Sequence, residues 1–125
     1  MLGYCTLGTN DLERSTAFYE PIAEILGCGR MMENERSVIW GTPGQGALFC
    51  TCKPFDGESA SVGNGSMFAF AAESEDQVQR IYDHAIANGG SDEGAPGPRG
   101  DGGFYGAYFR DPDGNKLAAF VAKAP

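Results

Sequence analysis

Histidine is almost missing from this 125-residue chain: His84 is the only one, and it falls in a stretch with helical spacing. There is no CxxC pair among Cys5, Cys28, Cys50 and Cys52, so the closely spaced Cys and His of a structural zinc site are absent. No apolar run approaches the roughly 20 residues of a membrane span. The opening "MLGYCTLGTNDLERS" has neither a basic segment nor a long apolar stretch, so no signal peptide is expected and the cytoplasm is the expected location. Basic residues are few: nine Lys and Arg lie scattered singly in a chain of net charge -8. That excludes a nucleic-acid partner, which needs a clustered basic face. An acidic balance of this kind describes a solvated surface, and it also suits a cationic ligand. "GTPGQG" (41–46) lacks the Lys-Ser/Thr of a phosphate-binding loop. An EF-hand beginning at Asp111 would need Gly and Glu where Lys116 and Ala122 stand.

What the chain does contain is a 42% hydrophobic share, enough for the core of one domain over residues 1–125. Its elements come in a repeated order. "YCTLGT" (4–9) reads as a strand, and 11–27 carries Leu12, Ala17, Phe18, Ile22, Ile25 and Leu26 close to helical spacing. Asn10 or Asp11 caps this helix, Gly27 stops it, and Pro21 predicts a kink or a break inside it. Three short strands follow. Shifted by 63 residues, the pattern recurs: Phe70 falls on Leu7, Tyr82 on Tyr19 and Gly90 on Gly27, with Ser74 and Gln77 at a second helix start. Further on the offset grows to 69, laying "YFRDPDGNKLA" (108–118) over "IWGTPGQGALF" (39–49), and the six additional residues fit the Gly/Pro-rich loop 89–103. Two βαβββ modules are therefore predicted, 1–56 and 67–125, joined by a linker over 57–66. The fold class is α+β: a curved mixed sheet with a concave cavity and helices on its outer face.

This order, together with "NDLERSTAFY", "GNGSMFAF" and "RDPDGN", resembles the vicinal oxygen chelate superfamily, which includes glyoxalase I, fosfomycin- and bleomycin-resistance proteins and extradiol dioxygenases. The resemblance implies a metal in the concave face of many members, held by His or Glu from several strands. At the matching positions this chain has Tyr4, Met67 and Ala118, with Phe49 opposite Ala118 in the half-repeat. Phenol, thioether and methyl groups do not replace imidazole and carboxylate ligands. No metal and no cofactor are therefore expected.

Strand alternation places Tyr4, Thr6, Met67, Ala69, Tyr108, Ala118 and Phe120 on the concave face, and Cys5, Leu7, Phe68, Phe70, Phe109, Leu117 and Ala119 against the helices. By the half-repeat, Phe49 and Thr51 also face the cavity, while Cys50 and Cys52 pack towards the helices. If strands one and four pair as the resemblance implies, Cys5 approaches Cys50 or Cys52, and a disulfide stays open. No residue placed on the concave face is Asp, Glu, His or Lys, Arg110 is read as pointing away from Tyr108, and general acid–base chemistry has few candidates. The expected function is metal-free binding of a small apolar, aromatic or cationic molecule in a pocket lined by Tyr4, Thr6, Phe49, Thr51, Met67, Tyr108, Ala118 and Phe120. Two alternatives stay open: a metal-dependent lyase, isomerase or dioxygenase-like enzyme, and a non-catalytic module with a filled cavity. A homodimer is expected, with "MMENERSVIW" (31–40) offering apolar residues to it.

Overall fold

Eight strands and two helices follow one another as β1 (Tyr4–Gly8), α1 (Leu12–Ile25), β2 (Gly29–Glu33), β3 (Ser37–Gly41), β4 (Leu48–Cys52), β5 (Phe68–Ala71), α2 (Glu75–Ala87), β6 (Ser91–Arg99), β7 (Phe104–Arg110) and β8 (Lys116–Ala122). The computed structural model describes residues 1–101 and 103–122. The α+β class and the twofold βαβββ order are as read from the sequence. Among the described residues no helix is long and apolar enough to cross a membrane.

The strands form two four-stranded sheets, ordered β1-β4-β3-β2 and β5-β8-β7-β6, rather than one curved sheet. In each, the first strand runs parallel to the last and the others are antiparallel. Helix α1 lies between the sheets. Its Tyr19 ring is 6.0 Å from Trp40 and 4.8 Å from Phe49 in the first sheet, while Phe18 is 6.4 Å from Phe109 in the second. Phe49 also meets Phe68 and Phe70 of β5. One apolar cluster therefore joins Phe18, Tyr19, Ile22, Trp40, Val78, Ile81, Phe109 and Leu117. The helix-bearing faces of both sheets turn inwards onto this core, and their other faces turn outwards.

Helix α1 begins at Asp11, whose side chain accepts from the Arg14 amide. Asn10 instead exchanges two hydrogen bonds with the Ala60 backbone. Of the kink or break expected at Pro21, the break does not occur: the helix runs continuously from Leu12 to Ile25. A proline there leaves the Ala17 carbonyl without its helical donor, and Ala17 lies on the exposed side where water reaches it. Ser74 caps α2 by accepting from the Gln77 amide. His84 ties the helices together: its Nε2 donates to the Phe18 carbonyl at 2.8 Å, and its Nδ1 accepts from Asn88.

Candidate functional site

The outward faces of the two sheets carry most of the residues singled out from the sequence. On the first sheet Tyr4 and Thr6 point outwards, and Tyr4 is 67% exposed. On the second, Tyr108, Ala118 and Ala69 form one row across β7, β8 and β5, and Gly106, Phe120 and Ala71 form the next. Met67 immediately precedes β5 and is 42% exposed. Thr6 on β1 and Lys116 on β8, whose ammonium is 5.6 Å from the Tyr108 ring centre, border one cavity of about 210 Å³.

Phe49 and Thr51 stand on the opposite side from the one expected. Phe49 pairs with Trp40 and Cys5, Thr51 pairs with Val38 and Leu7, and all of these face the helices. The cause is a single residue. The offset between β3 and β7 is 69, matching Trp40 to Phe109, yet between β4 and β8 it is 68, matching Phe49 to Leu117. The β3–β4 connection is one residue longer than its counterpart, and a one-residue slip turns every side chain of a strand over. Thr51 is consequently buried in the core, with its hydroxyl lacking a hydrogen-bond partner. Cys50 and Cys52 come to the outer face beside Thr6 and Gly8. Burial and the neighbouring Cys52 thiol push the Cys50 thiol up to about 11. Cys5 faces the other side of the sheet, and all four cysteines are free thiols, so the open disulfide question closes.

The donors at the positions that the resemblance assigns to a metal are a phenol (Tyr4), a thioether (Met67) and a methyl group (Ala118), and they do not fit a divalent ion. Among the described residues no three His, Cys, Asp or Glu side chains are grouped to hold one. A cavity of about 340 Å³ does exist, but on the inner side, between α1, the β3–β4 connection and β5. Tyr19, Cys28, Trp40, Phe49 and Phe70 are among its walls, and of the expected pocket residues only Phe49 borders it.

Two cations stand at Tyr108: Arg99, already near it in sequence, and Lys116, which alternation did not place there. The Arg99 guanidinium carbon is 5.4 Å and the Lys116 ammonium 5.6 Å from the centre of the Tyr108 ring. Lys116 pairs with Arg110 in the register, so both share the outer face with Tyr108 and Ala118. The signal was available in the alternation of β7 and β8, since residues 108, 110, 116 and 118 have one parity. Arg110 is engaged by Glu93 and by the Gly114 carbonyl.

The "DPDGN" turn between β7 and β8 reaches across to the first half. Asp111 accepts from the Tyr19 hydroxyl at 2.6 Å, and Asp113 accepts from the Thr9 hydroxyl at 2.6 Å and the Asn10 amide at 2.9 Å. Arg14 pairs with Asp113 at 2.9 Å, and the Asn115 amide group donates to the Gly8 carbonyl at 3.0 Å. The turn is a clasp between modules, with its polar groups spent on structure.

Residues 1–119 match the model of the family described as Glyoxalase/Bleomycin resistance protein/Dioxygenase superfamily. A glyoxalase/bleomycin resistance protein from Albidiferax ferrireducens T118 is similar over 98% of this chain and 99% of its own, at 38% identity and a TM-score of 0.90. A glyoxalase-related enzyme from Fulvimarina pelagi (23% identity, 97% and 87% covered, TM-score 0.73) shares the fold. So does the fosfomycin resistance protein FosX from Listeria monocytogenes (20% identity, 98% and 93% covered, TM-score 0.71). No curated protein matches the sequence.

Proposed function

Because the chain belongs to the glyoxalase/bleomycin resistance protein/dioxygenase superfamily, we propose that it is a cytoplasmic, homodimeric protein binding a small molecule with an apolar or aromatic body, without a divalent metal. The observation that carries this reading is the row Tyr108–Ala118–Ala69 on the outer face of the second sheet. In that row Ala69 is exposed and Ala118 beside it is 3% exposed, flanked by Tyr108 and, in the next row, Phe120. Apolar walls with a few oriented polar groups are what small-molecule sites are made of. Tyr4 and Thr6 supply a similar surface on the first sheet, and a second copy of the chain would set one sheet's outer face against the other's and wall the row in.

Two measurements test this. After soaking in excess Ni, Zn and Mn and desalting, elemental analysis is expected to find well under one equivalent of metal; one retained equivalent would restore the metal-dependent reading. In heteronuclear NMR spectra, a panel of neutral aromatic fragments is expected to shift resonances of Tyr108, Ala118 and Phe120. Shifts confined to the inner cavity around Trp40, or no shifts at all, would remove the site from the outer face.

A further inference from the structure

We infer that Cys50 and Cys52, side by side on the outer face of β4, form a two-thiolate site for a soft monovalent metal ion of the Cu(I) type. The site lies on the first sheet, apart from the row Tyr108–Ala118–Ala69, and does not depend on the small-molecule reading above.

The extra residue in the β3–β4 connection makes the pair. It turns β4 over, so that both thiols leave the core side and stand together on the outer face. Alternate residues of a strand share a face, with Cα atoms about 6.6 Å apart. A metal–thiolate bond is about 2.3 Å long, so an ion in line between two sulfurs needs them about 4.6 Å apart. Two Cys side chains inclined towards each other reach that separation. The two thiols here already lie within hydrogen-bonding reach of each other. Both are free, and Cys50 Sγ makes a weak contact with the Thr51 carbonyl at 3.6 Å.

The neighbours select the ion. Cys50 stands between Thr6 and Ile39 in the register, and Cys52 between Gly8 and Ser37. None of these side chains offers nitrogen, sulfur or a carboxylate, and Cys5 faces the other side of the sheet. Among the described residues no third His, Cys, Asp or Glu joins the pair. Zinc closes a tetrahedron and hard ions take a shell of oxygens, so two sulfurs alone suit neither. They do suit a soft ion content with two ligands, and thiolates select Cu(I) over harder ions. Burial agrees with this choice. Cys50 is 4% exposed in the middle of the sheet, while Cys52 is half-buried at the end of β4, beside a glycine that has no side chain to cover it. The ion enters at Cys52 and is shielded from water at Cys50. Each thiol gives its proton to the buffer as its sulfur bonds the ion. One Cu(I) thus replaces two protons, leaves an anionic dithiolate complex and is neither oxidised nor reduced.

The test is made without oxygen, with Cu(I) supplied as its acetonitrile complex and bicinchoninate as competing chelator. Wild type is expected to withhold one equivalent from the chelator and to release two protons per ion. Cys50→Ser and Cys52→Ser are each expected to lose that equivalent, and the double variant Cys5→Ser with Cys28→Ser to keep it. Far-ultraviolet circular dichroism checks the fold of every variant. Should the buried Cys50→Ser fail to fold, the half-buried Cys52→Ser decides alone. No copper withheld by wild type overturns the inference, as does full retention in Cys52→Ser. Zn(II) held as firmly as Cu(I) by wild type and released by Cys52→Ser overturns the two-ligand assignment, because zinc would need further ligands at the pair.

Discussion

Asp111 is only 4% exposed and accepts four hydrogen bonds, from Tyr19, the amides of Asp113 and Asn115, and the Asn115 side chain. A buried carboxylate survives only when its oxygens are met in this way. Tyr19 does double duty: its ring packs on Phe18, Phe49 and Trp40, and its hydroxyl completes the shell of Asp111. Tyr19→Phe keeps the packing and removes one donor from a buried acid, and is expected to cost about 2 kcal/mol in urea denaturation. Alkaline pH probes the same residue. Burial first, and then the Asp111 charge, hold the Tyr19 phenol well above its ordinary value of 10.0. In the unfolded chain it ionises near that value, so the unfolded state gives up its proton first. The stabilising contribution is whole below pH 10.0 and is lost as pH rises beyond it. Cys50 adds a loss of the same sign between 9.0 and about 11. The unfolding midpoint of wild type should therefore fall more steeply above pH 10.0 than that of Tyr19→Phe; parallel decline in the two proteins would remove Tyr19 from the account.

At the scale of elements, α1 tests how far tertiary packing overrides local preference. A proline inside a helix costs roughly 3 kcal/mol against alanine. Helix α1 nevertheless continues through Pro21, because Phe18, Tyr19, Ile22 and Ala23 are all buried around it. Pro21→Ala restores a donor to the Ala17 carbonyl and is expected to raise stability by about 1–3 kcal/mol in the same denaturation assay. A loss of stability would mean that the ring's own packing outweighs the missing hydrogen bond. The strands show where sequence reading stops. Alternation assigned Cys5, Leu7, Phe68, Phe70, Phe109, Leu117 and Ala119 to the helix side, because each strand's pattern is local and period two leaves only two choices. It failed on β4. Aligning Pro43 with Pro112 hides the extra residue between Trp40 and Phe49, and hairpin length appears in no side-chain pattern. Lys116 stands on the outer face beside Ala118 and Tyr108, against the expectation that no Lys faces that side.

At the scale of the molecule, the decisive fact is the direction in which the two sheets face, and nothing in either repeat states it. Each module by itself has one helix-bearing face and one bare face; which faces meet is settled by contacts such as Phe18–Phe109 and Tyr19–Asp111, separated by about ninety residues of chain. With the helices inside, apolar groups are left outside: Tyr4 is 67% exposed, Met32 59% and Met67 42%. Scattered apolar exposure is ordinary, but Tyr4 flanks Leu48 on an outward sheet face, and Met32 lies in a row with Ile39, Cys50 and Thr6 on the same face. Among the described residues the edge strands β1, β2, β5 and β6 also each keep one side without a strand partner. Bare edges and bare faces of this kind are covered in stable proteins, most simply by a symmetric second copy. The chain is therefore expected to run as a dimer in sedimentation equilibrium. Tyr4→Glu with Met67→Glu places a charge on each outer surface, neither of which contributes to the core. The double variant should shift the equilibrium towards monomer while keeping its far-ultraviolet circular dichroism. A wild-type monomer at micromolar concentration would leave the outer faces as open platforms, and ligands would then meet a single sheet.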